Sequence, residues 1–273
     1  MTVTLARRVS FSSGHRYWDP SLSPERNWQL FGSTASLFNH GHNYVLWVAC
    51  RGVVNPQTGM VVNIKLVDDL LQRLVVDVFD QRSINDEVVG MKGVPPTLER
   101  LLVHFSRSLD HLPRPVSLAG LKLEEHPLFF GEWSPDGMIT LTRTYEFAAS
   151  HRLHVPGLSQ EENLGLFGKC NNPTGHGHNY VVEVTVSGDP DPVSGMMCDL
   201  GELDRAVHDL VVDRYDHHCL DTDFDEFRGR ATTSEHVAAE VFKRLDGKLP
   251  ARLERVRLYE TARNAFEVTR DSF

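Results

Sequence analysis

Strand-like apolar and polar patterning runs from Val3 to His15 and again from Ile139 to His151, and a second such run follows each at Tyr44 to Arg51 and Tyr180 to Ser187. Each pair is expected to fold back as an antiparallel ribbon. Pro-x-x-Gly turn signals follow at Pro56 to Gly59 and Pro192 to Gly195. The spacing then changes from two to between three and four: Ile64, Val67, Leu71 and Leu74 share a helical face, and so do Leu200, Leu203, Val207 and Leu210. Asn63 and Asp199 stand where helix N-caps belong. A second helix is predicted to open near Thr97 and Thr233, and further strands lie near Val116 to Glu125 and Leu253 to Val268. The order is β-β-α-α-β-β, twice. Separated runs of strands and helices predict an α+β class, with two helices on one face of an antiparallel four-stranded sheet in each copy.

The two copies are related by a constant offset of 136 positions, which carries His15, His40 and His42 onto His151, His176 and His178, Phe31-Gly32 onto Phe167-Gly168, and Asp80 onto Asp216. Thr97 and Glu99 map likewise onto Thr233 and Glu235, and Glu125 meets Glu260 after a one-residue slip. The chain is a tandem duplication. Ser134-Pro135-Asp136-Gly137 is a turn signal between strand-like runs, so domains of 1–135 and 136–273 are expected.

Composition narrows the class. With 41% apolar and 24% charged residues and no run of eighteen apolar positions, the 273-residue chain reads as globular, without a membrane partner. No basic region leads into an apolar stretch at the N-terminus, so a cytoplasmic location is expected. The four cysteines Cys50, Cys170, Cys198 and Cys219 form no C-x-x-C pair, which argues against a disulfide framework. A formal charge of −9 argues against nucleic acid as a partner while leaving room for a local basic pocket.

The duplicated residues are mostly metal ligands and acid/base groups. On a strand the histidines of H-G-H lie at i and i+2 and share a face, and the glycine between them is expected to leave space beside a metal. The upstream histidine ends the preceding strand and can reach the same centre. Three neutral imidazoles, His151, His176 and His178, and likewise His15, His40 and His42, favour Zn2+ with a fourth coordination position open. An isolated H-G-H could be a surface turn, but two copies with the same third histidine argue otherwise.

The segment Phe167-Gly168-Lys169-Cys170-Asn171-Asn172-Pro173-Thr174-Gly175-His176-Gly177-His178-Asn179-Tyr180 closely resembles the 6-pyruvoyl-tetrahydropterin synthase family. Phe147 to Leu153, Glu161 to Leu164, Asp216-His217, Thr232 to Glu235 and Tyr259 to Thr261 extend the likeness over nearly all of 139–273. The resemblance implies tandem T-fold (tunnelling-fold) units that assemble around a barrel, zinc on His151, His176 and His178, Cys170 as a catalytic acid/base with Asp216 and His217, and a pterin held by Glu260 beside Thr233 and Ser234. It implies a lyase in tetrahydropterin biosynthesis, converting 7,8-dihydroneopterin triphosphate to 6-pyruvoyl-tetrahydropterin with loss of triphosphate. A thiol able to ionise beside zinc or a cationic histidine suits proton removal and return. A related activity, 6-carboxy-tetrahydropterin synthase on the deazapurine route, shares the toolkit and also releases acetaldehyde. Its usual motif places three residues between the cysteine and H-G-H, where this chain has five, which favours the pyruvoyl product, while Asp216-His217-His218 and Thr233-Ser234-Glu235 look as much like the carboxy enzyme.

Residues 5–133 resemble the family more weakly. Thr34 stands in the place of Cys170, Gln81 in that of His217, and Leu37-Phe38 bring apolar bulk. Neither threonine nor glutamine can carry a proton as the replaced groups do, so this half is expected to be non-catalytic, with a vestigial metal site as the first reading and a pocket that binds a pterin without turnover as the second. If six units close a barrel, three chains are required, and a homotrimer is the homo-oligomer the resemblance implies. A pterin-binding scaffold with relic metal sites is the non-enzyme alternative. Cys50, Cys198 and Cys219 are expected to pack, and His126, His208 and His218 to be surface or packing residues. Lys169 and Arg152 are possible triphosphate contacts.

Overall fold

A computed structural model describes residues 1–273. The elements run in order β1 (Thr2–His15), α1 (Pro24–Phe31), β2 (His40–Val53), α2 (Ile64–Leu71), α3 (Asp77–Phe79), β3 (Arg82–Ser83), α4 (Ile84–Glu87), α5 (Leu98–Ser108), β4 (Ser117–His126) and β5 (Phe129–Trp133). The pattern then repeats with β6 (Ile139–His151), α6 (Gln160–Phe167), β7 (His176–Ser187), α7 (Leu200–Val207), α8 (Asp213–Tyr215), β8 (His218–Cys219), α9 (Leu220–Asp223), α10 (Ser234–Leu245), β9 (Arg252–Thr261) and β10 (Asn264–Thr269). No helix is long and apolar enough to cross a membrane.

Two compact units emerge, one of Met1–Leu141 with Ser187–Gly201, the other of Thr142–Val186 with Glu202–Phe273. The compact units depart from the expected boundaries at two places: unit 1 runs on to Leu141, into the start of β6, and also takes a later segment. Ser187–Gly201, which belongs to the second repeat by sequence, packs with the first.

In unit 1 the strand order is β5-β4-β2-β1-β3. The β1/β2 ribbon is antiparallel over its whole length and sets His15 opposite His40, while β3 adds two residues in parallel beside Ser13 and Gly14. Leu46, Val48, Val67, Leu101, Phe105 and Leu123 are fully enclosed between sheet and helices, each contributing roughly 1.5–3 kcal/mol through removal from water. Phe11 stacks on Tyr44 at 5.1 Å and meets Phe79 at 5.4 Å. Unit 2 has the order β10-β9-β7-β6, with β8 parallel on β6. Its core repeats the first: Phe147 stacks on Tyr180 at 5.1 Å, and Val182, Leu203, Tyr215, Val237 and Leu258 are enclosed.

Several elements go beyond the β-β-α-α-β-β expectation. The helix begun by α2 widens into a π turn at Gln72–Val76 before α3, and the one begun by α7 does so at His208–Val212 before α8. Each then ends at an aspartate that turns back to the sheet. Asp80 Oδ1 accepts the Ser12 N–H at 2.8 Å and Asp216 Oδ1 accepts the Ala148 N–H at 2.7 Å. The next residue adopts a left-handed backbone in both copies, Gln81 at φ 57° and His217 at φ 61°, and its N–H closes on Ser12 or Ala148 at 2.7 and 2.6 Å. The short helices α1 and α6 were also not anticipated. Ser23 caps α1, and Ser159 with Glu162 forms a reciprocal capping box on α6.

Candidate metal centre and its surroundings

The strand ends converge on two clusters of imidazoles. In unit 2 the ligand-capable atoms of His151, His176 and His178 lie within 4.8 Å of one another, as do those of His15, His40 and His42 in unit 1. Ring centroids are 4.6, 5.2 and 5.0 Å apart in the first cluster and 4.5, 5.1 and 5.0 Å apart in the second. The shared face of H-G-H and the reach across the ribbon are as expected. The glycine has another reason: a Cβ on Gly41 would meet Ser13 O at 3.3 Å and one on Gly177 would meet Ala149 O at 3.4 Å. Because alternate residues point to opposite faces, the absent side chain admits the backbone of the neighbouring strand and leaves no extra space at the triad.

The imidazoles are held in the state a cation requires. The buried His151 directs Nδ1 to the Thr232 carbonyl at 2.7 Å, which sets Nδ1–H as donor and leaves Nε2 as a lone-pair face. His151 Nε2, His176 Nδ1 and His178 Nε2 are buried without a hydrogen-bond partner. Orphaned buried nitrogens are costly alone. Burial also holds His176 and His178 below the usual histidine value, favouring neutral rings. Three convergent nitrogens without hydrogen-bond partners fit a divalent metal. In unit 1, burial lowers His15 to about 3 and His42 to about 4, and His40 is lowered too. His15 Nε2 and His40 Nε2 stand 3.0 Å apart, a distance at which two ring nitrogens share either a proton or a cation.

A carboxylate borders each triad. Glu260 Oε1 lies 3.6 Å from His151 Nε2 and 3.9 Å from His178 Nε2, and Glu125 Oε1 lies 3.6 Å from His42 Nε2. Burial alone would raise the Glu260 carboxyl, but Ser234 Oγ donates to Oε1 at 2.7 Å and Asn264 Nδ2 to Oε2 at 2.9 Å. Together with the nearby histidines they hold it below the ordinary carboxylate value. Glu260 is thus an acceptor with fixed orientation. In the first repeat Leu98 takes the position of Ser234, so that anchoring hydroxyl is lost.

The remaining expected site residues sit on separate turns and helix ends. Cys170 is a free, half-buried cysteine on the turn between α6 and β7, where its carbonyl accepts the Leu153 N–H at 2.9 Å. Thr34, its counterpart, donates its hydroxyl to Phe31 O at 2.6 Å. Asp216 accepts from His217 Nδ1 at 2.6 Å, and its carboxyl is held low first by the Ala148 N–H and then by His217. The His217 side chain is 83% exposed, bordering the same groove as His178 and Cys219. Thr233 caps α10 by position but forms no side-chain cap bond.

Two supporting residues were not anticipated. Asp221 accepts the Thr232 hydroxyl through one oxygen and the Arg152 N–H through the other, fixing the segment before α10 whose carbonyl orients His151. The only sequence signal for Asp221 was proximity to the motifs, and Thr232 stands inside the Thr232 to Glu235 motif with no role assigned there. Asp221→Ala should weaken metal binding roughly 10–100-fold while far-UV circular dichroism is unchanged; equilibrium dialysis with unaltered affinity would exclude this supporting role. Arg152 points its guanidinium at Asn171, with Nη2 to Oδ1 at 2.7 Å, which engages it locally instead of leaving it free for phosphate. His208 and His218 pair with Asp213 and Asp223 at the surface. Cys50 and Cys198 are buried and Cys219 half-buried.

A duplicated α+β protein with a three-histidine, metal-capable centre beside an anchored glutamate is what fold and site define. The family model for 6-pyruvoyl tetrahydropterin synthase matches residues 4–131 and again 140–271, and the chain belongs to that enzyme family. Human 6-pyruvoyl tetrahydrobiopterin synthase is 46% identical over 125 residues, which is 45% of this chain and 86% of the human protein. The Drosophila melanogaster enzyme of that name is 45% identical over 126 residues, 45% of this chain and 75% of its own length. The solved Caenorhabditis elegans 6-pyruvoyl tetrahydropterin synthase shares 43% identity at a TM-score of 0.46, covering 48% of this chain and 95% of that one.

Proposed function

We propose that the second repeat, as part of a homo-oligomer, converts 7,8-dihydroneopterin triphosphate to 6-pyruvoyl-tetrahydropterin with release of triphosphate, and that the first repeat is a non-catalytic copy that keeps its metal ligands. The observation that carries the reading is the placement of Glu260, an oriented carboxylate, within 4 Å of the unpartnered nitrogens of His151 and His178. A pterin ring presents paired N–H donors, and a carboxylate fixed by Ser234 and Asn264 accepts them without reorganising.

His151, His176 and His178 would hold Zn2+, which supplies Lewis-acid polarisation of the substrate's side-chain hydroxyls. The net change is internal: the C1′ carbinol becomes a ketone as its two hydrogens pass to N5 and C6 of the ring, and elimination of triphosphate turns the C2′ carbinol and its neighbouring C3′ into a methyl ketone. Cys170, as thiolate, takes a carbon-bound proton and returns it. Asp216 fixes the tautomer of His217 through Nδ1, leaving Nε2 to exchange a proton. Thr233 and Ser234 flank the ring, Ser234 acting through Glu260. The first repeat lacks these proton carriers, because Thr34 and Gln81 do not titrate in the needed range.

The test is product analysis by mass spectrometry after incubating zinc-loaded protein with 7,8-dihydroneopterin triphosphate. 6-Pyruvoyl-tetrahydropterin with triphosphate is expected. 6-Carboxy-tetrahydropterin with acetaldehyde would replace the proposed product, and no turnover by metal-replete protein would overturn the enzymatic assignment.

A further inference from the structure

The turn that carries Cys170 is pinned by one guanidinium to the segment leaving β6. Arg152 Nη2 donates to Asn171 Oδ1 at 2.7 Å and Nε to Asn171 O at 3.3 Å, so both arms of the fork address the residue next to the cysteine. Asn171 is 2% exposed, and its Nδ2 lies 3.4 Å from His154 Nδ1. One position along the same segment, the Leu153 N–H donates to the Cys170 carbonyl at 2.9 Å. The backbone of Arg152 is fixed as well. Its N–H is donated to Asp221, the carboxylate that also accepts the Thr232 hydroxyl and so braces the carbonyl that orients His151. A single residue therefore ties the turn bearing the thiol to the groups that orient a metal ligand.

The first repeat keeps the arginine and not the tie. Arg16 stands at the position of Arg152, but Ala35 stands at that of Asn171 and Asp86 at that of Thr222. The Arg16 guanidinium turns to Asp86, with Nη1 to Oδ2 at 2.7 Å and Nη2 to Oδ1 at 2.8 Å, and to Asn39 Oδ1 at 2.8 Å. It braces α4 and the residue before β2. The turn at Gly32–Thr34 forms with no guanidinium on it, so the fold does not require a tie at this place. The tie exists in the copy whose turn carries a thiol, and is missing where the Thr34 hydroxyl closes on Phe31 O.

We propose that Arg152 is a positioning residue for Cys170, holding the turn through Asn171 so that the thiol keeps the place from which it takes and returns the carbon-bound proton. The proposal rests on the reading of Cys170 given above. Proton transfer tolerates little displacement of the exchanging atom, and a shift of about 1 Å costs on the order of 10²-fold in rate. Arginine suits the task because its planar fork meets two acceptors on one residue, which the point charge of lysine does not reproduce. Thr222, where the first repeat has Asp86, leaves the fork without a carboxylate to draw it away.

The test compares zinc-loaded full-length wild type with Arg152→Ala, Arg152→Lys and Asn171→Ala, the last placing in the second turn the residue with which the first repeat already folds. In each variant kcat on 7,8-dihydroneopterin triphosphate should fall roughly 10–100-fold, with KM within about twofold and metal content unchanged. The double variant Arg152→Ala/Asn171→Ala should be no slower than either single one, because both break the same tie. Guanidinium ion at millimolar concentration should restore part of the kcat of Arg152→Ala and none of that of Cys170→Ala. Hydrogen exchange at the Leu153 amide should quicken in all three variants while amides within β6 and β7 keep their protection. A kcat within about twofold of wild type, additive losses in the double variant, a loss that tracks lost zinc, or a raised KM at unchanged kcat, which would make Arg152 a triphosphate contact, would overturn the proposal. If wild type turns nothing over, the catalytic reading of Cys170 falls and takes this role with it. If wild type is active and the Leu153 amide is unmoved in the variants, the positioning role alone falls.

Discussion

Cys170→Ala should lower kcat on 7,8-dihydroneopterin triphosphate by roughly 10²–10⁴-fold, the range set by losing a positioned acid/base group, whereas Thr34→Ala should leave turnover within about twofold. The contrast follows from local chemistry on two turns of the same shape. Both follow a short helix closed by a left-handed glycine, Gly32 or Gly168. The threonine hydroxyl is donated to Phe31 O and has no accessible ionisation, while a thiol is the one side chain at that position able to alternate between proton donor and acceptor near neutrality. Since the alanine variant keeps the triad and Glu260, KM should move little, and the loss should appear in kcat. Steady-state kinetics at matched zinc occupancy decide the matter. A Cys170→Ala enzyme with near wild-type kcat would remove the thiol from the mechanism.

The second large effect concerns the metal. Wild type should carry two divalent ions per chain, one for each triad, and His151→Ala and His15→Ala should each reduce the content to one. Only His151→Ala should abolish turnover. The prediction rests on the near-equivalence of the two clusters: each pairs one fully buried histidine with two at i and i+2 on the adjoining strand, and each has a glutamate 3.6 Å from a ring nitrogen. Both variants should melt at lower temperature, since a ligand at 100 times its Kd stabilises the folded state by about 2.7 kcal/mol. Elemental analysis by plasma mass spectrometry with parallel thermal unfolding would measure this. A wild-type content of one, lost only with His151, would make the cluster of His15, His40 and His42 a metal-free relic.

Much of this architecture was readable because the features repeat. The change from strand to helix spacing, the caps at Asn63 and Thr97, and the shared face of H-G-H all have local causes, and the chain states each twice. Asn63 accepts from the Lys65 N–H and Thr97 from the Arg100 N–H as capping residues should. What was not readable has longer-range causes. The π turns leave apolar phase intact on both sides, so the periodicity gives no sign of them. Helix α6 has little amphipathic signal in eight residues, although its Ser159-x-x-Glu162 box was there to be read. Asp221 acts on His151 through Thr232, a relation that depends on tertiary contact alone. The seating of Ser187–Gly201 in unit 1 depends on tertiary contact in the same way.

The left-handed backbone at Gln81 and His217 carries an evolutionary consequence. That geometry is a feature of the turn, closed by Asp80 or Asp216 whatever side chain follows, so the histidine was replaced in the first repeat without remaking the scaffold. Loss of chemistry and retention of shape are separable here. The path back is correspondingly short: Thr34→Cys, Gln81→His and Leu98→Ser would restore three of the departures in side chains on a backbone already shaped to receive them, with Leu37-Phe38 left to replace, making the silent half a ready starting point for a second working centre.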